Sequence, residues 1–272
     1  VTAAVLVLAA ALQAAPAPAP FAIPDHPDKL VFQPIAYTPP SARDHRVVLS
    51  NGMVVFIAED QTLPLVNISL VVRTGSYLEP AEKAGLAGLT GSQIRRGGSA
   101  SLTAELLDER LDFLAATVST GIGDTSGQAS LNCLRDNLDE SLKLFVDLLK
   151  QPRFQEDRLR LAKEQARQGL QRRNDDAADI ERVEWNALLY GEQHFTNRFV
   201  TPATLDAISR QDLVDFHRRY FHPANMIAAV SGAFTRAEMI RKLEAAFANW
   251  PGRRPSVPPV PSEIATARPG LY

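Results

Sequence analysis

The period of the apolar positions changes several times along the chain, and each change marks a different element. Residues Arg46 to Asp60 carry two short apolar runs around Asn51-Gly52. An Asn-Gly pair readily adopts the left-handed backbone of a tight turn, so the segment predicts a two-strand hairpin. A third strand is predicted at Val66 to Arg73. Thr74-Gly75-Ser76 then turns the chain through Pro80 and Lys83 into a helix that opens with small residues. Helical spacing returns from Thr103 to Ala115, with Leu106, Leu107, Leu111 and Leu114 as one apolar stripe. Between Ala116 and Cys133 the pattern alternates and is broken by Gly121, Gly123 and Gly127, which predicts two strands joined by a turn.

Helices are predicted next from Leu138 to Leu149 and, after Pro152, from Glu156 to Arg173. The longer one places Leu159, Ala162, Ala166 and Gly169 on one face. Arg158, Lys163, Arg167 and Arg172 fall elsewhere, as a solvated face. Asn174-Asp175-Asp176 ends this helix and caps another from Ile180 to Leu189. A loop from Tyr190 to Pro202, a helix from Arg210 to Tyr220 capped by Ser209, a strand from Asn225 to Ala233 and a helix from Arg236 to Trp250 complete the pattern. A hairpin followed by strands interleaved with helices predicts an α+β fold. Its architecture is a two-layer α/β sandwich with about six mostly antiparallel strands and the helices on one sheet face.

Composition adds the ends of the chain. Residues 1–20 are an apolar, Ala/Pro-rich run that matches the core and cleavage region of a secretory signal and is too short to span a bilayer. Export to the periplasm or the outside is therefore expected, with no integral membrane span. Residues 21–43 read as an extended Pro-rich arm, 44–251 as the folded domain, and 252–272 as a Pro-rich linker toward a second half. A formal net charge of -2 offers no long-range attraction for polyanions, so no nucleic-acid partner is expected. Cys133, the only cysteine, excludes an internal disulfide and lies in an alternating apolar stretch, as a buried small hydrophobe would.

Four stretches carry a resemblance across residues 44–251: L-S-N-G-M-V-V-F-I-A-E-D, G-S-Y-L-E-P-A-E-K-A-G-L-A-G-L-T-G, L-L-K-Q-P-R-F and F-H-R-R-Y-F-H-P-A-N-M-I-A-A-V-S-G. In this order and spacing the chain resembles the amino-terminal half-unit of the insulinase and pitrilysin zinc peptidases, which include mitochondrial processing peptidase. Active members carry H-x-x-E-H on the helix after the third strand. Histidines at i and i+4 share a helix face and reach one Zn²⁺, and the Glu polarises the bound water. The matching residues here are Gly88-Leu89-Thr90-Gly91-Ser92. The family's third ligand, a Glu on the long helix, falls at Gly169 or, counted from the first motif, at Gln168. Glu164 lies about 200° around the helix from Ala162 and should face elsewhere.

No substitute site is visible in the sequence. His26, His45, His194, His217 and His222 include no pair at i, i+3 or i, i+4, so three protein ligands for zinc cannot be assembled. Neither Ser92 nor Ser231 stands in a nucleophile-elbow pattern, and no histidine is placed to activate Cys133. The resemblance therefore implies a non-catalytic subunit or half, with no cofactor of its own. Zinc is expected on an active partner of the same family, together with a peptide substrate. It also implies that the strand after the motif helix, at Ala116, Thr117, Val118, Ser119 and Thr120, is an edge that pairs with extended peptide, the alternative being an ordinary internal strand. Two other expectations stay open: a scaffold subunit of a larger complex, and a peptidase whose zinc motif lies beyond Tyr272.

Overall fold

The computed structural model describes residues 26–30, 32, 36–39, 41–250, 253–262 and 270. The segment expected to be an export signal lies outside the described residues. The described residues fall into two units, those before Ser41 and those from Ser41 onward. In the first, Pro27–Lys29 makes one 3-10 turn.

The second unit opens with a short helical turn, α1 (Ala42–His45), and the expected hairpin of β1 (Arg46–Val48) and β2 (Val54–Glu59). Gly52 takes φ +86, and the Asn51 side chain accepts from the Met53 amide at 3.0 Å, so the turn is built from the residues that signalled it. There follow β3 (Leu65–Val72), α2 (Leu86–Arg96), α3 (Ala104–Phe113), β4 (Thr117–Ile122), β5 (Gly127–Leu134), α4 (Leu138–Lys150), α5 (Glu156–Gln171), α6 (Ala177–Tyr190), α7 (Pro202–Ala207), α8 (Arg210–Tyr220), β6 (Met226–Gly232) and α9 (Arg236–Ala246). The sheet has six strands in the order β1-β2-β6-β3-β5-β4. Only the β2–β6 pair is parallel, so the expected mostly antiparallel α+β sandwich is the observed fold.

Burial alternates along the strands as a half-covered sheet requires. Val66, Ile68, Leu70 and Val72 of β3, with Ala129, Leu131 and Cys133 of β5 and Ala228 and Val230 of β6, join the helix-side core. The opposite face carries Asn67, Ser69, Val71, Asn132, Leu134, Ile227 and Ser231, all exposed. Each strand thus contributes one buried and one open row, and the helices supply a single covering layer.

Local chemistry accounts for several departures from the predicted pattern. The short helix α7 begins where a loop was expected to end. Thr201 and Thr204 form a reciprocal capping box with Pro202 inside the first turn, and Leu205 anchors the helix in the core. Helix α9 stops at Ala246 and does not reach Trp250. Phe247 is fully buried and stacks on Trp250 at 5.7 Å, whose indole N–H donates to Phe221 O, while Asn249 takes φ +52. Leu106, expected on the apolar stripe of α3, points outward; only Leu107, Leu111 and Leu114 are buried. The expected solvated basic face of α5 is largely engaged. Arg158 pairs with Glu105, Lys163 donates to Ile208 O, and Arg167 pairs with Glu164 and Asp206. Apart from Glu164, one turn earlier on α5, these partners come from neighbouring elements, which a single-helix pattern does not show.

Candidate functional site

The helix that should carry the metal motif is α2. It packs across the edge strand β4 and against α5 and α8. Its first turn is held by Glu79, a buried carboxylate that accepts from the amides of Gly85 at 3.0 Å and Ala87 at 2.7 Å. Burial pushes the Glu79 carboxyl above the usual Glu range, and the two amide bonds pull part of the way back. Arg198 donates to the Glu79 carbonyl at 3.0 Å and ties the same turn to the loop before α7. Two orphan amides of the helix start are satisfied this way. Sequence reading missed this residue, because a cap reaching from six positions upstream has no local signature. Glu79→Ala is expected to cost about 2 kcal/mol of stability, read as a lower urea midpoint at unchanged slope.

The degenerate motif positions lie on this helix and on α5. Gly88 is exposed, and a Cβ added there would meet nothing within 4 Å; the same holds for Gly169. The half-buried Ser92 spends its hydroxyl on Leu89 O at 3.0 Å. Gly91 differs from the other two glycines. It is buried, and an added Cβ would stand 2.3 Å from Ile122 N and 2.6 Å from Gly121 C. Thr120 donates from its hydroxyl to Gly91 O at 2.6 Å. The helix backbone is therefore seated directly on the backbone of β4, at the position where active relatives need a Glu side chain.

These positions do not fit a zinc ion. They offer one hydroxyl, already bonded, and no imidazole or carboxylate. Glu164 pairs with Arg167 and is exposed. Among the described residues no group of three His, Cys, Asp or Glu side chains could hold a metal. His217 is buried with Nε2 at 2.9 Å from Leu149 O, His45 reaches Ile57 O, and His194 and His222 cap short turns through Nδ1. Cys133 is fully buried, and burial pushes its thiol up to about 11, so it stays protonated at neutral pH.

Among the described residues β4 is an edge strand, paired with β5 and with no second strand on its other side. Ala116 precedes the strand, following Ala115 at φ +48; Thr117 and Ser119 point to the open sheet face and Val118 to the helices. Ser119 Oγ lies 2.7 Å from Ser130 Oγ on β5. An edge strand leaves every second backbone N–H and C=O without a sheet partner, which is the chemistry a further extended strand completes.

Comparison with known families agrees with this geometry. The profile of insulinase, peptidase family M16, matches residues 54–202, and that of the peptidase M16 inactive domain matches residues 207–270. The chain belongs to peptidase family M16. It is an M16 domain of the inactive kind, with the motif helix retained and its ligands replaced. Among curated M16 relatives, it is 27% identical over 229 residues to coenzyme PQQ synthesis protein F of Pseudomonas aeruginosa, covering 82% of this chain and 29% of that protein. It is 23% identical over 208 residues to the non-peptidase homologue YmxG of Helicobacter pylori, covering 76% of this chain and 48% of that protein. The chain thus spans less than half the length of these relatives. The crystal structure of a peptidase M16 inactive domain from Pseudomonas fluorescens superposes with a TM-score of 0.71 at 21% identity, covering 82% of this chain and 53% of that one. The periplasmic protease PqqL of Escherichia coli superposes with a TM-score of 0.70 at 14% identity, covering 82% of this chain and 24% of that one. Both structural matches bear on the fold.

Proposed function

We propose that this M16 domain is a non-catalytic half of a peptidase assembly, which holds extended peptide while an active, zinc-bearing half of the same family cleaves it. The observation that carries the reading is Gly91. A helix that had merely lost its ligands would keep room for them, whereas this one has closed onto Gly121 and Ile122 of β4. The scaffold is preserved around the peptide-facing edge, and the metal chemistry is left to a partner. Two further features support a partner half. The sheet face opposite the helices exposes Val71, Leu134 and Ile227, and the M16 relatives are at least twice as long as the matched region. The periplasm suits this role, in keeping with the signal-like first residues and with the periplasmic protease of similar fold. Among the described residues no helix is long and apolar enough to cross a membrane.

The test is reconstitution. The purified chain alone should leave a quenched fluorescent peptide library uncut, and adding the active M16 partner from the same source should give hydrolysis that chelator abolishes and this chain accelerates. Chelator-sensitive cleavage by the purified chain alone would overturn the proposal. In the assembled complex, saturating peptide should slow deuterium uptake at the amides of residues 117–122. Unchanged uptake there would remove β4 as the binding edge.

A further inference from the structure

The cleft beside β4 contains polar groups that the fold leaves unused. It lies between α2 and α5, encloses about 430 Å³ and has Val118 of the edge strand in its wall. Gln93, only 1% exposed, lines it, and its side-chain oxygen has no hydrogen-bond partner among the described residues. Arg95, in the same wall, has no partner for its buried Nε among the described residues, while its Nη1 pairs with Asp108 at 2.6 Å. Arg158, across the cleft on α5, pairs with Glu105 at 2.6 Å. Arg96 is exposed and makes no ion pair among the described residues. Three arginines thus line the cleft; Asp108 in its wall answers Arg95, Glu105 outside it answers Arg158, and Arg96 is left without an ion pair among the described residues of a chain of net charge -2. An unpaired buried donor and an unpaired buried acceptor are costly to leave unmade, and together they call for a ligand that carries both functions.

A peptide strand added to β4 would supply them. Its side chains would alternate between the two sheet faces, and those on the helix face would enter the space that Val118 borders. We propose that this cleft is a subsite for an acidic side chain of the bound peptide, with the carboxylate received by Arg95 Nε and Arg96 and a peptide amide received by Gln93. The inference rests on β4 being the peptide-binding edge. It adds a substrate class: extended peptides with Asp or Glu at alternate positions. A guanidinium is suited to this because its planar fork presents several fixed donors to a carboxylate.

The experiment uses the full chain and two fluorescein-labelled ten-residue peptides, identical except for Glu or Gln at alternate positions. Affinity is read by fluorescence anisotropy at low and high salt, and β4 engagement by deuterium uptake at residues 117–122. Both peptides should protect β4, and the Glu peptide should bind about tenfold more tightly at low salt, with a smaller margin at high salt. Arg96→Gln, at an exposed site without an ion pair, should reduce that margin to about threefold or less, and Arg95→Gln should abolish it. Equal affinity of the two peptides with β4 protected would overturn the acidic subsite and leave the edge-strand reading standing. A preference unchanged in both variants would also overturn the subsite. Absence of β4 protection by either peptide would overturn the edge-strand reading and the subsite with it.

Discussion

Gly91→Ala is expected to destabilise the domain by about 3 kcal/mol, whereas Gly88→Ala, three residues earlier on the same helix, is expected to stabilise it by about 0.5–1 kcal/mol. Both changes raise helix propensity by the same amount, so the contrast isolates packing. At position 91 the new methyl would lie 2.3 Å from Ile122 N and 2.6 Å from Gly121 C, and these are backbone atoms of a paired strand. Relief requires α2 to lift from β4, which breaks the Thr120 hydroxyl bond to Gly91 O. At position 88 the methyl points into open space. Restoring the full motif as Gly88→His, Gly91→Glu and Ser92→His should therefore give a less stable protein that does not gain stoichiometric zinc. Urea unfolding of the two alanine variants and metal analysis of the triple variant decide this. A Gly91→Ala midpoint equal to wild type would show that the helix is not held by close backbone approach.

The second large effect is acid destabilisation through His217. Its ring is buried between α8 and α4, stacks on Phe221 at 4.8 Å and meets the edge of Phe154 at 5.9 Å. Burial lowers its pKa to about 4. The bond to Leu149 O opposes the shift, and neighbouring Arg218 adds to it. In the unfolded chain the same imidazole takes up a proton as pH falls through its ordinary value of about 6.5. The folded protein therefore binds fewer protons than the unfolded one between these values, and stability falls as pH falls through that window. The gap corresponds to about 3 kcal/mol, or a fall in Tm of roughly 10 °C between pH 7 and pH 4. His217→Gln keeps a donor for Leu149 O and removes the titration, so its Tm should be lower at pH 7 and flatter down to pH 4. Parallel profiles for the two proteins would show that His217 does not carry the acid sensitivity.

Much of the site was legible before any geometry. The replacement of H-x-x-E-H by Gly88-Leu89-Thr90-Gly91-Ser92 is a statement about residue identity, and no fold can give an imidazole to a position that holds glycine or serine. The strand pattern was equally open to reading. The hairpin at Asn51-Gly52 and the alternation in β3, β5 and β6 come from local turn chemistry and from a sheet with one covered face. Reading stopped where partners come from distant segments. Glu79 as the cap of α2, the engagement of Lys163 with Ile208 O, and the burial of Phe247 in place of a longer α9 each depend on another element's position.

The three glycines show where that boundary lies. By itself the sequence determined that positions 88, 91 and 169 cannot ligate zinc as the family's His and Glu do, because glycine carries no side-chain donor. Only the tertiary structure decided that two of them face open space while the third is clamped against β4, because the distance between a helix and a strand is set by packing across the whole core. The same holds for β4. Its alternation is written in residues 116–122, but its place at the sheet edge follows from the order in which six strands pair. A strand's own residues do not record which neighbour is missing, since the backbone groups that would bond it are the same in every residue.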